Sequence, residues 1–138
     1  MPAAEMLLKF AGQRQRVIAH NIANIDTPNF QMKDVDPQAF QNMLGKAIDK
    51  RRKQNGGAFG ALQWEETRDI QRIGRSNDFK LVPTTGHHGG ILHHDRNDAD
   101  LERMMQDMVE NATAYRVAAD LLRSQRNQLQ NAIAQRVV

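Results

Sequence analysis

The sequence predicts a mainly α protein: two long terminal helices in a coiled-coil-like pair, with a short extra helix and a small irregular or β-hairpin middle. Three observations carry that expectation. Apolar residues near the N-terminus recur at helical spacing, and a C-terminal stretch free of Gly and Pro keeps a heptad repeat. Between them, residues 54–98 hold seven of the nine glycines, which break regular structure. The chain has 138 residues. That suits one domain and excludes a TIM barrel or a two-domain dehydrogenase, which need about 200 residues or more. The organisation expected is 1–50 for the first helix, turn and second helix, 51–97 for the irregular middle, and 98–138 for the heptad helix. The two ends would together form one discontinuous domain.

The first helix is expected from about Ala3 to Ala23. Ala4, Leu7, Ala11, Ile18 and Ile25 recur at spacings of three, four or seven, with Arg14 and Asn21 on the same line. Phe10 and Val17 widen the stripe. The helix should stop at Asn24-Ile25-Asp26-Thr27-Pro28-Asn29-Phe30. Asn24 suits a left-handed C-cap, Pro28 disfavours helix at Thr27, and Asn29 suits positive φ. Asp36 and Pro37 then read as the N-cap and first turn of a second helix. Its apolar face is Phe40, Met43, Leu44, Ala47 and Ile48, and it should fade into the basic run Lys46, Lys50, Arg51, Arg52 and Lys53.

In the middle, short strands are expected around Ala61–Thr67 and Phe79–Pro83, as a candidate hairpin, with Thr84–Gly90 as loop. In the last region, Asp98 or Asp100 can cap a helix that runs to about Gln135. Leu101, Met105, Met108, Ala112, Tyr115, Ala119, Leu122, Arg126, Leu129 and Ile133 form a seam with alternating spacings of four and three, interrupted only by Arg126. Met104, Ala118, Leu121 and Ala132 broaden it on one flank. A helix of this length must cover that stripe against something. The N-terminal helix is shorter, so part of the seam is expected to stay free. Pattern alone leaves open both a self-contained helical bundle and assembly with another chain.

Little in the chain carries chemistry. The absence of cysteine excludes a disulfide scaffold, a thiolate metal site and a Cys nucleophile. His87, His88, His93 and His94 could bind Zn²⁺ or Ni²⁺, but neighbouring imidazoles cannot easily converge on one ion, and an exposed polar loop accounts for them better. The two serines, Ser76 and Ser124, sit in no nucleophile elbow, and no phosphate loop occurs. No enzyme, cofactor, metal or small-molecule substrate is expected. The net charge of +3 is concentrated in the basic run, where residues 1–55 hold nine Lys and Arg against five acids. That run reads as a solvated helix end. Nucleic-acid binding would want aromatic residues among the bases, and none lies between Phe40 and Phe59. No run of about 18 apolar residues could span a bilayer. The start, with its charges after a short apolar stretch, lacks a secretory pattern.

The decapeptide Asn21-Ile22-Ala23-Asn24-Ile25-Asp26-Thr27-Pro28-Asn29-Phe30 resembles the motif that opens the flagellar axial proteins, Asn-x-Ala-Asn-x-x-Thr-Pro-Gly followed by Tyr or Phe. Arg14-Gln15-Arg16-Val17-Ile18-Ala19 before it, and the C-terminal heptad helix opening at Asp100-Leu101-Glu102, are similar too. Length and the last helix point to the proximal-rod type of the basal body. The resemblance covers roughly residues 4–50 and 97–135. Asn29 stands where the family has Gly, and Asp95-Arg96-Asn97-Asp98-Ala99-Asp100 stands where it has Asp-Gly-Asn-x-Val-Asp. The resemblance implies a structural rod subunit in the periplasm, exported unfolded through the flagellar channel without a cleaved signal. It implies self-association, and partners among other rod proteins, the inner-membrane ring and the export apparatus. Its site residues would be the seam, the helix face Leu7, Phe10, Ala11, Val17 and Ile18, and the turn Asn21, Asn24, Thr27, Pro28 and Phe30. The competing reading is a free-standing helical adaptor that binds nucleic acid or a partner helix through the basic segment.

Overall fold

The structure is a computed structural model that describes residues 1–57, 59–74, 78–85 and 94–136, of which 94–99 and 136 by their backbone alone. Helix α1 spans Pro2–Ala23, β1 Lys33–Asp34, α2 Pro37–Asn55, β2 Ile70–Arg72, β3 Phe79–Leu81, β4 Thr84–Thr85 and α3 His94–Arg136. Strands β2 and β3 pair antiparallel, with Ile70 opposite Leu81 and Arg72 opposite Phe79. A second small ladder sets Lys33 of β1 opposite Thr85 of β4. Helix α3 lies along α1, so the mainly α architecture with small two-stranded sheets in the middle is what the sequence predicts.

Helix α1 begins with Pro2, whose missing N–H is one of the unpaired donors at any helix start. Helix α2 begins as expected: the Asp36 side chain accepts from Gln38 N at 2.8 Å, with Pro37 in the first turn. It does not fade in the basic run. Lys46, Lys50, Arg51, Arg52 and Lys53 all lie on regular helix, which ends at Asn55 with Gly56 left-handed at φ 62°. Helix α3 also starts earlier than expected, at His94, so neither Asp98 nor Asp100 caps it. No Gly or Pro stands in Asp95–Asp100, so nothing there opposes helix.

The central core is aromatic. Phe10 of α1 stacks on Phe40 of α2 with ring centroids 3.9 Å apart and planes 7° from parallel. Phe79 of β3 meets Phe40 at 6.2 Å and Trp64 edge-on at 5.9 Å. Met6, Val35, Met43, Leu62 and Ile70 complete the cluster. The segment 61–67, expected as a strand, has no ladder. It does alternate, with Leu62 and Trp64 buried and their neighbours exposed, so it packs with strand periodicity but makes only a Thr67–Ile70 bridge. The partner of β3 is instead Ile70–Arg72. Arg72 covers the Trp64 ring at 4.6 Å and donates through Nη2 to the Trp64 carbonyl at 2.6 Å.

Two polar side chains tie this core together. Gln13 of α1 donates through Nε2 to the Phe79 carbonyl at 3.0 Å and accepts from Leu81 N at 2.9 Å, standing where a neighbouring strand would. Buried Asp69 accepts from Asp36 N at 3.1 Å, and its carbonyl accepts from Val82 N at 2.8 Å, linking the start of α2 to the hairpin. Phe40 touches both aromatic neighbours and is 1% exposed. Phe40→Ala should therefore destabilise the fold by about 3–5 kcal/mol. Urea titration followed by the fluorescence of Trp64 measures this, and a loss below about 1 kcal/mol would show that the stack does not hold the core.

Candidate assembly interface

Helix α1 carries two different faces. Phe10 and Leu7 look into the aromatic core, while Ala11, Arg14 and Ile18 look toward α3. Val17 is half-buried. The two helices run antiparallel: Met1 N donates to Gln125 Oε1 at 2.7 Å, and further along α1 the Ala11 carbonyl meets the Asn111 amide, which lies earlier on α3.

The contact is keyed by polar groups at defined levels. Asn111, 3% exposed, donates through Nδ2 to the Ala11 carbonyl at 2.8 Å and to Gln15 Oε1 at 2.7 Å. Arg14, also buried, lies 3.8 Å from Asp107 on α3 and 3.9 Å from Asp34 on β1. Sliding α3 by one turn would strip these buried groups of their partners, so they set the register.

The line of α3 that faces α1 is Met104, Asn111, Ala118 and Gln125, flanked by Met108, Tyr115 and Leu122. It shares those three flanking residues with the seam read from the sequence. The seam's other members turn aside: Leu101 and Ala119 are half-buried, Ala112 is exposed, and Met105 is 56% exposed. Sequence reading sets Met104 and Ala118 on a flank and passes over Asn111 and Gln125 because both are polar, so a count of apolar residues favours Ala112 over its neighbour. The signal was present as the seven-residue spacing of Met104, Asn111, Ala118 and Gln125. Beyond Gln125, α3 continues to Arg136, roughly 16 Å past the level of the α1 start at 1.5 Å per residue. Leu129 and Ile133 lie exposed on that overhang.

A groove of about 780 Å³ runs beside the α1–α3 contact. Its floor is made of small residues, among them Gly12 and Ala19 from α1 and Ala112 and Ala119 from α3, with Tyr115 as one wall. Arg16, Arg116 and Arg123 rim it. Thus Ala112 and Ala119, two seam residues that do not face α1, line this groove.

The turn after α1 is built by its polar residues. Asn21 is buried and pairs with both backbone groups of Lys33: Nδ2 donates to the carbonyl at 2.6 Å and Oδ1 accepts from the amide at 3.2 Å. Asn24 is not left-handed, with φ −110° and ψ 12°. Its side chain supplies the cap instead, donating to the His20 carbonyl at 2.8 Å and accepting from Thr27 Oγ1 at 3.3 Å. The left-handed residue is Asn29, at φ 60°. Pro28 is exposed, and Phe30 sets its ring edge-on to His20 at 5.5 Å.

The family model described as flagella basal body rod protein matches residues 8–31, which are most of α1 and this turn. The flagellar basal body rod protein FlgB of Salmonella typhimurium is 28% identical over 126 residues, covering 91% of this chain and 86% of its own. The protein of the same name from Bacillus subtilis is 27% identical over 129 residues, covering 94% and 88%. That from Escherichia coli is 28% identical over 130 residues, covering 91% and 86%. The chain is thus similar to flagellar basal body rod proteins over most of its length. The similarity reaches well past the two ends seen in the sequence and takes in the middle. These relatives are named as rod proteins and not as enzymes.

Other features resolve more simply. No helix among the described residues is long and apolar enough to cross a membrane. Among the described residues no group of three or more His, Cys, Asp or Glu could hold a metal ion. His87, His88 and His93 lie outside the described residues, and only the backbone of His94 is described. The basic end of α2 is held to the following loop, where Arg51 Nε and Asn55 Nδ2 both donate to the Phe59 carbonyl, at 3.4 and 3.3 Å.

Asn21→Ala removes both bonds to Lys33 and leaves part-buried backbone unpaired. It should cost about 1–3 kcal/mol, with faster hydrogen exchange at the Lys33 amide. Unchanged exchange there would remove Asn21 from this role.

Proposed function

We propose that this chain is a structural subunit of the bacterial flagellar basal-body rod, of the proximal type, built into the rod through its terminal helices. The observation that carries the reading is the alignment of nearly the whole chain with rod proteins, while the family motif itself falls on the α1 end and its turn. A rod is an open helical tube, and such tubes arise from contacts between unlike patches that do not close.

The assembly surface we assign is the seam Leu101, Met105, Met108, Ala112, Tyr115, Ala119, Leu122, Leu129 and Ile133, together with the α1 face and the Asn21–Phe30 turn. Exposed apolar residues support this: Met105, Tyr115, Leu129 and Ile133 are each at least 46% exposed, more than a lone soluble helix pair needs to show. The subunit would stand at the base of the axial structure, next to the inner-membrane ring and the export apparatus. It would reach the periplasm unfolded, through the flagellar channel, without a cleaved signal. A chain of mean hydropathy −0.67 whose apolar stripe is finished only by neighbours suits that route.

Deletion of the gene in its source organism should abolish rod, hook and filament together, seen by electron microscopy of the cell envelope, and stop swimming. The wild-type gene should restore both. Ala119→Glu or Leu122→Asp should be expressed and exported yet fail to restore swimming. Normal motility of either variant would remove the seam from assembly, and intact flagella in the deletion strain would overturn the rod reading.

A further inference from the structure

Helix α3 has two electrically different halves. From Asp100 to Glu110 it holds Asp100, Glu102, Asp107 and Glu110 against Arg103; from Arg116 to Arg136 it holds Arg116, Arg123, Arg126 and Arg136 against Asp120. A helix dipole favours acids at the start and bases at the end, but only within the first and last turn. Glu102 lies roughly two turns inside the start at His94, and Arg116 more than five turns, roughly, before the end at Arg136. The dipole therefore does not account for them.

The acidic half also presents an outward apolar face. Glu102, Met105 and Val109 stand at i, i+3 and i+7 on one side of the helix, with Met105 56% and Val109 67% exposed. The basic half borders the groove beside α1, whose floor is Ala and Gly and whose rim carries Arg16, Arg116 and Arg123 against Asp120. Arg123 reaches Asp120 at 3.7 Å, which leaves the rim with an excess of positive charge.

We propose that the Glu102–Met105–Val109 face of one copy seats in the arginine-rimmed α1–α3 groove of a second copy. The inference rests on the reading of the chain as an assembling subunit and names the contact. Glu102 to Arg116 and Met105 to Ala119 are both steps of 14 residues, or two heptads. A parallel shift of about 21 Å between the two α3 helices therefore sets acid against arginine and Met105 against the small floor in one move. The competing occupant, the overhang from Arg126 to Arg136 of a second copy, carries two arginines and no acid and would meet the rim with like charge. Because the two patches differ, each copy keeps one of each free, and the contact repeats without closing.

The chain has no cysteine, so introduced thiols report only on the chosen positions. The variant Met105→Cys/Ala119→Cys, oxidised in solution, should give a ladder of dimers, trimers and higher species on a non-reducing gel. Adding Arg116→Glu and Arg123→Glu should weaken the ladder at least tenfold, and adding Glu102→Arg to that background should recover part of it. A single dimer band would mean a closed pairing and overturn the head-to-tail contact. A ladder unchanged by charge reversal would overturn the seating, as would no cross-link at all in a double-cysteine variant that still restores swimming under reducing conditions. Trp64 emission and helical circular dichroism check that each variant folds. The two readings fail separately: a swimming deletion strain sinks the rod function whatever the gel shows, while an absent ladder beside a non-swimming deletion strain sinks only this contact.

Discussion

Helix α1 has to be buried on two sides by unlike partners, and the rest of the molecule depends on how it satisfies both. One side gives Met6, Phe10 and Gln13 to the aromatic core with α2 and the hairpin. The other gives Ala11, Arg14 and Gln15 to α3. Apolar area drives the first contact, where stacked and edge-on rings add directional preference. Hydrogen bonds and a buried arginine position the second, where Ile18 and Met104 are the large apolar residues buried. The core thus holds α1 in place, and α1 in turn holds α3 at a set register.

That imbalance bears on function. A helix pair closed by large apolar residues would be complete in itself. Here α3 keeps more than half of its described apolar residues exposed, lines a groove with small ones and projects past the end of α1. A rod subunit needs such unfinished surface, because binding energy must come from neighbours and not be spent within the chain. The turn after α1 sets where the chain goes next. Asn21 and Asn24 reverse the chain at the foot of α1 and set β1 beside it, so the motif carries the compact part of the molecule to one side of the helix pair.

Features encoded within a few neighbouring residues were legible in the sequence. The bounds of α1, the Asp36 cap with Pro37, the positive φ of Asn29 and strand β3 all follow from local chemistry. Features that need a distant partner were not. Ile70-Gln71-Arg72 is too short to show periodicity and becomes a strand only because Phe79–Leu81 lies opposite. The segment 61–67 alternates like a strand but has no edge to pair with, so its alternation serves packing alone. Asn24 was read as a left-handed cap because its backbone tolerates one, whereas its side chain found the His20 carbonyl first.

The sequence by itself determined three helices, a chain reversal after the first, a heptad periodicity in the last and the rod-family motif that joins them. Each of these is written in spacings along one stretch of chain, where backbone preferences and helical period act without outside help. Only the tertiary structure decided which side of the heptad stripe meets α1. A heptad repeat specifies a stripe wider than one partner helix can cover, and two adjacent lines of residues fit it almost equally well. The choice fell to Asn111 and Arg14, whose burial is tolerable only at the one rotation and register where Ala11, Gln15, Asp34 and Asp107 come within reach.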